Sequence, residues 1–198
     1  MAELKDRGTV KVVDGRFQFE GKFHYIYSNS SIRAENGELR GVTTPRDMTY
    51  VHMYGGEAPF FDSLKDGILL GTRCDNPDCE HTGMVHVPFK IHCPDCLKKN
   101  TIVDITDIAK RTATVHTFMV TERTGAFNTL KKPIRFINIE FEGVSTILMS
   151  YLPVGEPKIG MRVVPIFQTK NPTFTILDLA WVPEGTDKSK LPEGFTFN

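Results

Sequence analysis

Four cysteines in two close pairs are the residues of this chain whose types and spacing could support chemistry. Four residues separate Cys74 from Cys79, two separate Cys93 from Cys96, and thirteen lie between the pairs. A Zn²⁺ ion binds four thiolates tetrahedrally at about 2.3 Å, and two Cys pairs on a hairpin supply that arrangement. Because the pattern uses every cysteine, it predicts a zinc ribbon with these four residues as metal ligands.

Two other interpretations of the same cysteines stay open, a pair of disulfides and an iron site. Disulfides suit exported chains, but the first residues, MAELKD, are charged and lead into no apolar segment typical of a signal peptide. The sequence therefore favours a metal and a cytoplasmic location. Ligand type does not separate zinc from iron, since iron also accepts four thiolates. We expect the nearby His81, His86 and His92 to be solvated ribbon residues rather than ligands.

Size and charge limit the class of protein. The chain has 198 residues, enough for one medium domain or two small ones, and Lys plus Arg equal Asp plus Glu at 24 each. A nucleic-acid-binding protein usually carries a basic excess, so zero net charge makes that class the alternative interpretation rather than the first. No apolar run approaches the about 20 residues of a membrane-spanning helix, so no membrane contact is expected.

Turn residues and apolar periodicity divide the chain into four parts. We predict a β-rich N-terminal extension and connector, a short helix plus zinc ribbon, a small five-stranded Greek-key barrel, and a tail that packs poorly unless it binds a partner. The fold class is therefore mainly β. The four parts are residues 1–58, 59–100, 101–185 and 186–198.

Local signals support these parts. The dipeptides Asp14-Gly15 and Asn36-Gly37 tolerate positive φ and predict tight hairpins in the extension. Residues 59–67 combine an early Pro, a final Gly and apolar side chains at helical spacing, which predicts the short amphipathic helix. The barrel strands are predicted at residues 113–122, 134–141, 144–151, 162–168 and 174–182.

The order of these motifs resembles one known family. Phe60, Phe61 and Leu64 precede "DGILLGTRC", Pro88 lies between the Cys pairs, and "HCPDC", "TATVHTFMVT" and "IGMRV" follow. Over residues 59–183 this order is similar to the OB-fold, acyl-CoA-associated proteins that carry a rubredoxin-like zinc ribbon. Two features depart from that family, whose first Cys pair usually has two intervening residues and whose leader is short and helical.

The resemblance implies an accessory subunit of a thiolase-type acyltransferase complex. Members of the family accompany a thiolase-fold chain that holds the catalytic residues and cleaves or forms C–C bonds in 3-oxoacyl-CoA substrates. The implied cofactors are structural Zn²⁺ and a CoA or acyl-CoA shared with the partner. The expected assembly is a heterotetramer, because closed two-fold symmetry is common. The alternative is a nucleic-acid-binding module, since zinc ribbons and OB-folds both occur in such proteins.

The residues themselves argue against catalysis by this chain alone. All four thiols have ligand spacing, so none is a free nucleophile, and four sulfurs leave the zinc no open position. We expect His116 to be a half-exposed strand residue rather than a general base.

Arg123, Lys131 and Lys132 flank a loop and are the candidate contacts to the phosphates of CoA. Phe127 in this loop is a candidate anchor for the partner.

Overall fold

A computed structural model describes most of the chain. Its described residues are mainly β and include two short α-helices, which confirms the predicted fold class. No helix among them is long and apolar enough to cross a membrane. The backbone divides into two compact units, Met1–Met53 and Tyr54–Asn198. The described ranges are residues 8–14, 16–21, 24–48, 54–122 and 129–198.

The N-terminal unit contains antiparallel pairs of short strands. Both predicted hairpin turns are present, with Asp14 at a φ of 50° and Gly37 at 84°. The turn at Asp14 follows β1, and the turn at Gly37 joins β4 to β5. The β-rich extension is thus confirmed. Its pairs are β1 (Gly8–Val13) with β2 (Arg16–Gly21), β3 (His24–Ile26) with β6 (Arg46–Met48), and β4 (Ser30–Arg33) with β5 (Leu39–Thr43).

The larger unit begins with the predicted helix. Helix α1 (Ala58–Ser63) lies between two 3-10 turns. Pro59 occupies the first turn, where its missing N–H leaves no hydrogen bond unmade, and Gly67 ends the helical segment at a φ of 72°. Phe60 and Leu64 are fully buried, so the helix is amphipathic as expected.

The zinc ribbon is a three-stranded antiparallel sheet. Its central strand is β7 (Leu70–Arg73), which pairs with β8 (Val85–His86) on one side and β9 (Thr101–Asp104) on the other. The strands approach closely at Gly71, where an added Cβ would lie 3.0 Å from the Val87 side chain. Helix α2 (Thr106–Thr112) then leads into the barrel.

Five strands form a partly open barrel with the predicted OB-fold order. β11 pairs with β10 and β12, and β13 pairs with β14, all antiparallel. A bridge between Thr114 and Arg162 joins β10 to the segment before β13, and the Ser150 hydroxyl donates to the Leu179 carbonyl (2.9 Å) from β12 to β14. The strands are β10 (Thr114–Thr121), β11 (Ile134–Glu140), β12 (Leu148–Tyr151), β13 (Val163–Gln168) and β14 (Leu179–Pro183).

The last predicted barrel strand is shorter than expected. Residues 174–178 were predicted as strand, but they form a loop and a 3-10 turn, Ile176–Asp178. The fully buried Asp178 carboxylate accepts hydrogen bonds from the backbone N–H groups of Thr173 (2.9 Å) and Phe174 (2.7 Å). These bonds hold Phe174 at a φ of 54°, which is incompatible with a strand. The third predicted strand is also shorter, because only Leu148–Tyr151 is extended.

The C-terminal segment packs on the barrel, so the prediction of a poorly packed tail was wrong. Its strand β15 (Phe195–Thr196) pairs with β13. Leu191, Phe195 and Phe197 pack against a buried cluster that includes Ile166 and Val182. The Pro- and Gly-rich composition gave no sign that these apolar side chains would be partly buried. The cluster that they pack against is made of barrel residues, some of them distant in the sequence.

Ribbon and barrel share one hydrophobic core. Phe60 of α1 and Val87 beside the ribbon lie in the same buried cluster as Ile137 and Trp181 of the barrel. The ring centroids of Phe60 and Phe89 are 5.7 Å apart. Neither part therefore has a complete core of its own, and each stabilises the other by burying apolar surface.

Candidate metal centre

The structure brings all four predicted metal ligands together. Their Sγ atoms lie within 4.8 Å of one another, and the Sγ distances Cys74–Cys96 and Cys79–Cys93 are both 3.8 Å. In a regular tetrahedron with metal–sulfur bonds of about 2.3 Å, the sulfur atoms are about 3.8 Å apart. The four cysteines form no disulfide. The cluster is therefore compatible with a structural zinc site, and the disulfide alternative does not describe this fold.

Backbone N–H groups point at three of the sulfurs. Each donor lies two residues after the cysteine whose sulfur it contacts, and the measured distance from His81 N to Cys79 Sγ is 3.4 Å. A donor in this position stabilises a thiolate more than a thiol. The pairs are Asn76 with Cys74, His81 with Cys79, and Lys98 with Cys96.

The pKa values of Cys96 and Cys79 are shifted in opposite directions, and the two shifts have different causes. The backbone N–H of Lys98 is the main reason that the pKa of Cys96 falls to about 6. Burial raises the pKa of Cys79 above its usual value. A divalent cation at the centre would favour the thiolate form at both positions, because metal ligation deprotonates a thiol.

The cluster is closed to solvent on most sides. Cys74, Cys79 and Cys93 are buried, and Cys96 is half-buried. A shell of four sulfurs has no position for substrate or water, which is typical of structural rather than catalytic zinc. The two knuckles are also linked directly, because the Lys98 ammonium donates to the Asn76 side-chain oxygen at 2.8 Å.

A second group of possible metal ligands, Cys79, His81 and Asp95, overlaps this cluster. The Asp95 carboxylate lies 3.2 Å from Cys79 Sγ and 3.5 Å from His81 Nδ1. This trio shares Cys79 with the four-sulfur group, so the two cannot be independent sites. His81 therefore lies beside the cluster, while His92 is exposed as the sequence predicted.

His86 is buried, which contradicts the expectation of a solvated ribbon residue. Its exposed fraction is 4 %, and it lies on β8 opposite Thr72 of β7. Neither ring nitrogen has a hydrogen-bond partner among the described residues. Burial is the main cause that lowers the pKa of His86, and the charges of Lys90 and His81 add to it. His86 stands between Val85 and Val87 in the sequence, and these apolar neighbours were the available sign that it lies in a buried strand.

The buried His86 is expected to make folding less stable as the pH falls. Its folded pKa lies below the unfolded value of about 6.5, so the unfolded chain binds more protons below that pH. The free energy of unfolding should therefore fall as the pH drops below about 6.5. In His86→Leu that contribution is absent, while the cysteines still titrate. The stability of His86→Leu relative to the wild type, from chemical denaturation, should rise towards low pH, and a constant difference would contradict the assignment.

His116 is held by a carboxylate on the barrel surface. Its Nδ1 lies 2.9 Å from Glu140 Oε2, and the other carboxylate oxygen, Oε1, accepts from the Thr114 hydroxyl at 3.2 Å. The His116 side chain is 46 % exposed, which confirms the predicted half-exposed strand residue. All four thiols of the chain are in the metal cluster, so no thiol nucleophile lies beside it.

The candidate CoA contacts are only partly described. Lys131 and Lys132 are exposed and line a cavity of about 620 Å³ on the barrel, whereas Arg123 lies outside the described residues, as does the candidate partner anchor Phe127. The structure adds Arg135 and Lys190 to the same cavity. Sequence reasoning missed Lys190 because it belongs to the segment that was expected to be loose.

Comparisons with known proteins give a distant likeness. No protein-family model and no curated protein matches the chain. One similar solved structure is a DUF35-family protein of unknown function from Sulfolobus solfataricus, at 23 % identity and a TM-score of 0.46, covering 64 % of this chain and 83 % of that one. Another is the Ltp2-ChsH2(DUF35) aldolase, at 24 % identity and a TM-score of 0.47, covering 64 % of this chain and 93 % of that one. At these values neither likeness carries an argument about function.

Proposed function

We propose that this chain is a non-catalytic zinc-ribbon/OB-fold subunit of a thiolase-type acyl-CoA complex that cleaves or forms C–C bonds in 3-oxoacyl-CoA substrates. The observation that carries the proposal is that all four thiols meet in one cluster, on a ribbon that shares its core with the barrel. The order of helix, ribbon and barrel is the order in the family that the sequence resembles. Benzoylsuccinyl-CoA, in anaerobic toluene degradation, is the specific substrate that this resemblance favours.

The chemistry is assigned to a partner chain because every thiol of this one belongs to the proposed ligand set. Thiolase chemistry needs a nucleophilic thiolate and an acid–base group beside it. The thiol with a lowered pKa here, Cys96, has its sulfur 3.8 Å from Cys74 and belongs to the proposed ligand set. Of the described histidines, His86 is buried without a partner and His116 contacts Glu140 on an exposed strand.

The proposed role of the metal is to hold the ribbon in a docking conformation. When bound by Cys74, Cys79, Cys93 and Cys96, Zn²⁺ would supply a cross-link between the two knuckles and no open coordination site. The buried residues of the three ribbon strands are Gly71, Thr72 and His86, none of which has an apolar side chain, so these strands cannot fold by apolar burial alone. The fixed ribbon and barrel then present one rigid surface to the catalytic chain, in a complex for which we propose a heterotetramer.

Co-purification from the native source tests the proposed partner. We expect mass spectrometry of the purified complex to identify a thiolase-fold chain. We also expect thiolysis of a 3-oxoacyl-CoA to require both chains. Turnover of an acyl thioester by this chain alone, or a partner of an unrelated class, would overturn the proposal.

The proposed CoA contacts predict a measurable loss of affinity. In the reconstituted complex, the double variant Lys131→Gln/Lys132→Gln should weaken CoA binding about tenfold, or about 1.4 kcal/mol, because two exposed charges facing phosphate are removed. Calorimetric titration with CoA measures this change. Lys170→Gln removes an equally exposed charge that does not line the cavity and should leave the affinity unchanged. Equal affinities in the double variant and the wild type would remove these residues from the site.

The nucleic-acid-binding alternative draws on one observation. Several cations line a single cavity on the barrel, and OB-folds bind single strands with cations and stacked aromatic rings. A gel shift with DNA or RNA that weakens steeply with salt would favour this function. Assembly with a thiolase-fold chain, without such a shift, would favour the first.

A further inference from the structure

The cavity of about 620 Å³ is built by three separate segments of the chain. Lys131 and Lys132 come from the approach to β11, Tyr151 from the end of β12, and Lys190 and Phe195 from the C-terminal segment. Its volume is within the range of small-molecule sites. The C-terminal segment therefore does more than cover the barrel, because it completes one wall of a cavity.

The charged side chains that line the cavity, among the described residues, are all cationic. Lys131 and Lys132 form no ion pair with a described acidic residue, while Arg135 is paired with Glu156. The Lys190 ammonium is exposed and has Asp187 as a neighbour along its own turn. Three lysines thus line one cavity, and their combined charge favours an anion with more than one negative charge.

The apolar side chains that line the cavity belong to the barrel core or pack against it. Tyr151 is buried in the second core cluster of the barrel, and Leu130, Val154 and Phe195 pack against that cluster. The Tyr151 hydroxyl donates to the Leu177 carbonyl at 2.9 Å, so the ring is held in place. An apolar lining of this kind accepts a flat aromatic or an aliphatic group without first having to become ordered.

Hydrogen bonds also fix the wall supplied by the C-terminal segment. Pairing with Gln168 fixes the backbone of Phe195, and the Phe195 side chain packs against the second core cluster. Lys190 lies at the end of the 3-10 turn Lys188–Lys190, which is capped by a bond from the Ser189 N–H to the Asp187 carboxylate at 2.8 Å. Both residues are therefore presented by ordered backbone.

We propose that this cavity binds a phosphorylated ligand with an aromatic or aliphatic body, and that Lys190 and Phe195 of the C-terminal segment are part of the site. Ammonium groups bind phosphate as point charges, and several of them match a phosphate dianion better than a single carboxylate. Identification of the ligand as the phosphorylated adenosine end of CoA rests on the proposed function. The site itself rests on the cavity.

The test uses the full, zinc-loaded chain without a partner. Adenosine 3′,5′-bisphosphate is the phosphorylated probe, and octanoate is an apolar carboxylate of similar reach. Calorimetry should show saturable binding of the bisphosphate, weakened about three- to tenfold in Lys190→Gln because one of the ammonium groups is lost. Lys188→Gln is the matched control, because Lys188 is an exposed lysine of the same turn that does not line the cavity. Phe195→Leu keeps apolar volume and should also weaken the bisphosphate.

Three outcomes would overturn the inference. They are no bisphosphate binding at millimolar concentration, equal losses in Lys190→Gln and Lys188→Gln, and tighter binding of octanoate than of the bisphosphate. The result is separable from the proposed function. If the chain binds the probe but has no thiolase-fold partner, the proposed site stands and its assignment to CoA is contradicted. If the chain assembles with that partner but does not bind the probe, the proposed function stands and only the proposed site is contradicted.

Discussion

Replacing Cys93 with serine is expected to unfold the zinc ribbon and to prevent assembly with the partner. Cys93 is fully buried, and its Sγ lies 3.8 Å from that of Cys79. Structural zinc contributes on the order of 10 kcal/mol in zinc-finger peptides, so the loss of one thiolate removes a large part of the folding free energy of the ribbon. Elemental analysis should show less than one metal ion per chain, and the backbone amides of β7 and β8 should lose protection from hydrogen exchange.

His92→Gln is the matched control for Cys93→Ser. His92 is the exposed residue immediately before Cys93, and its side chain is outside the four-sulfur cluster. We expect this variant to keep its metal, its amide protection and its partner. Treatment of the wild type with a chelator should reproduce the serine variant. A metal-free protein that keeps both ribbon protection and assembly would contradict the structural role of the metal.

Replacing Phe60 with alanine is expected to destabilise ribbon and barrel together. Phe60 is 1 % exposed and packs in the core cluster that contains Trp181, so truncation should leave a cavity and cost about 3–5 kcal/mol. Denaturant unfolding can be followed by the fluorescence of Trp181, the single tryptophan, and by metal release to a chromogenic chelator. Both midpoints should shift to lower denaturant by the same amount, because a shared core unfolds as one unit.

Ile159→Ala provides the comparison for Phe60→Ala. Ile159 is 71 % exposed, so its truncation removes little buried surface and should change stability by no more than about 0.5 kcal/mol. If metal release and the fluorescence of Trp181 reported separate transitions in Phe60→Ala, ribbon and barrel would have to be treated as independent folding units.

The sequence predicted those features whose physical cause is local. The spacing of Cys93 and Cys96 allows two sulfurs to bind one metal regardless of the rest of the fold. Likewise, Asn36-Gly37 allows the positive φ of a tight turn. The alternation of apolar residues found β10, β11 and β13 to within about two residues, because one side of each strand faces a core.

The missed features depend on contacts between distant segments. The loop at Phe174 exists because the Asp178 carboxylate binds its backbone, and strand-like residue types gave no sign of this. Leu191, Phe195 and Phe197 have a buried position only once β13 is in place.

The candidate sites show the same division. The four thiol ligands lie within one short stretch and were all named from spacing. Lys131 and Lys132 were named as loop cations, but Lys190 reaches their cavity only through the packing of the C-terminal segment. A binding site assembled from three segments leaves no pattern in any one of them.

Because ribbon and barrel share one core, the ribbon is synthesised before the barrel residues that bury its apolar side chains. All four cysteines leave the ribosome well before Trp181, which belongs to the same buried cluster as Phe60 and Val87. During that interval the thiols are accessible to oxidants and to competing metal ions. If the four thiols bind zinc as proposed, the supply of zinc during translation should therefore limit how much ribbon and barrel folds correctly.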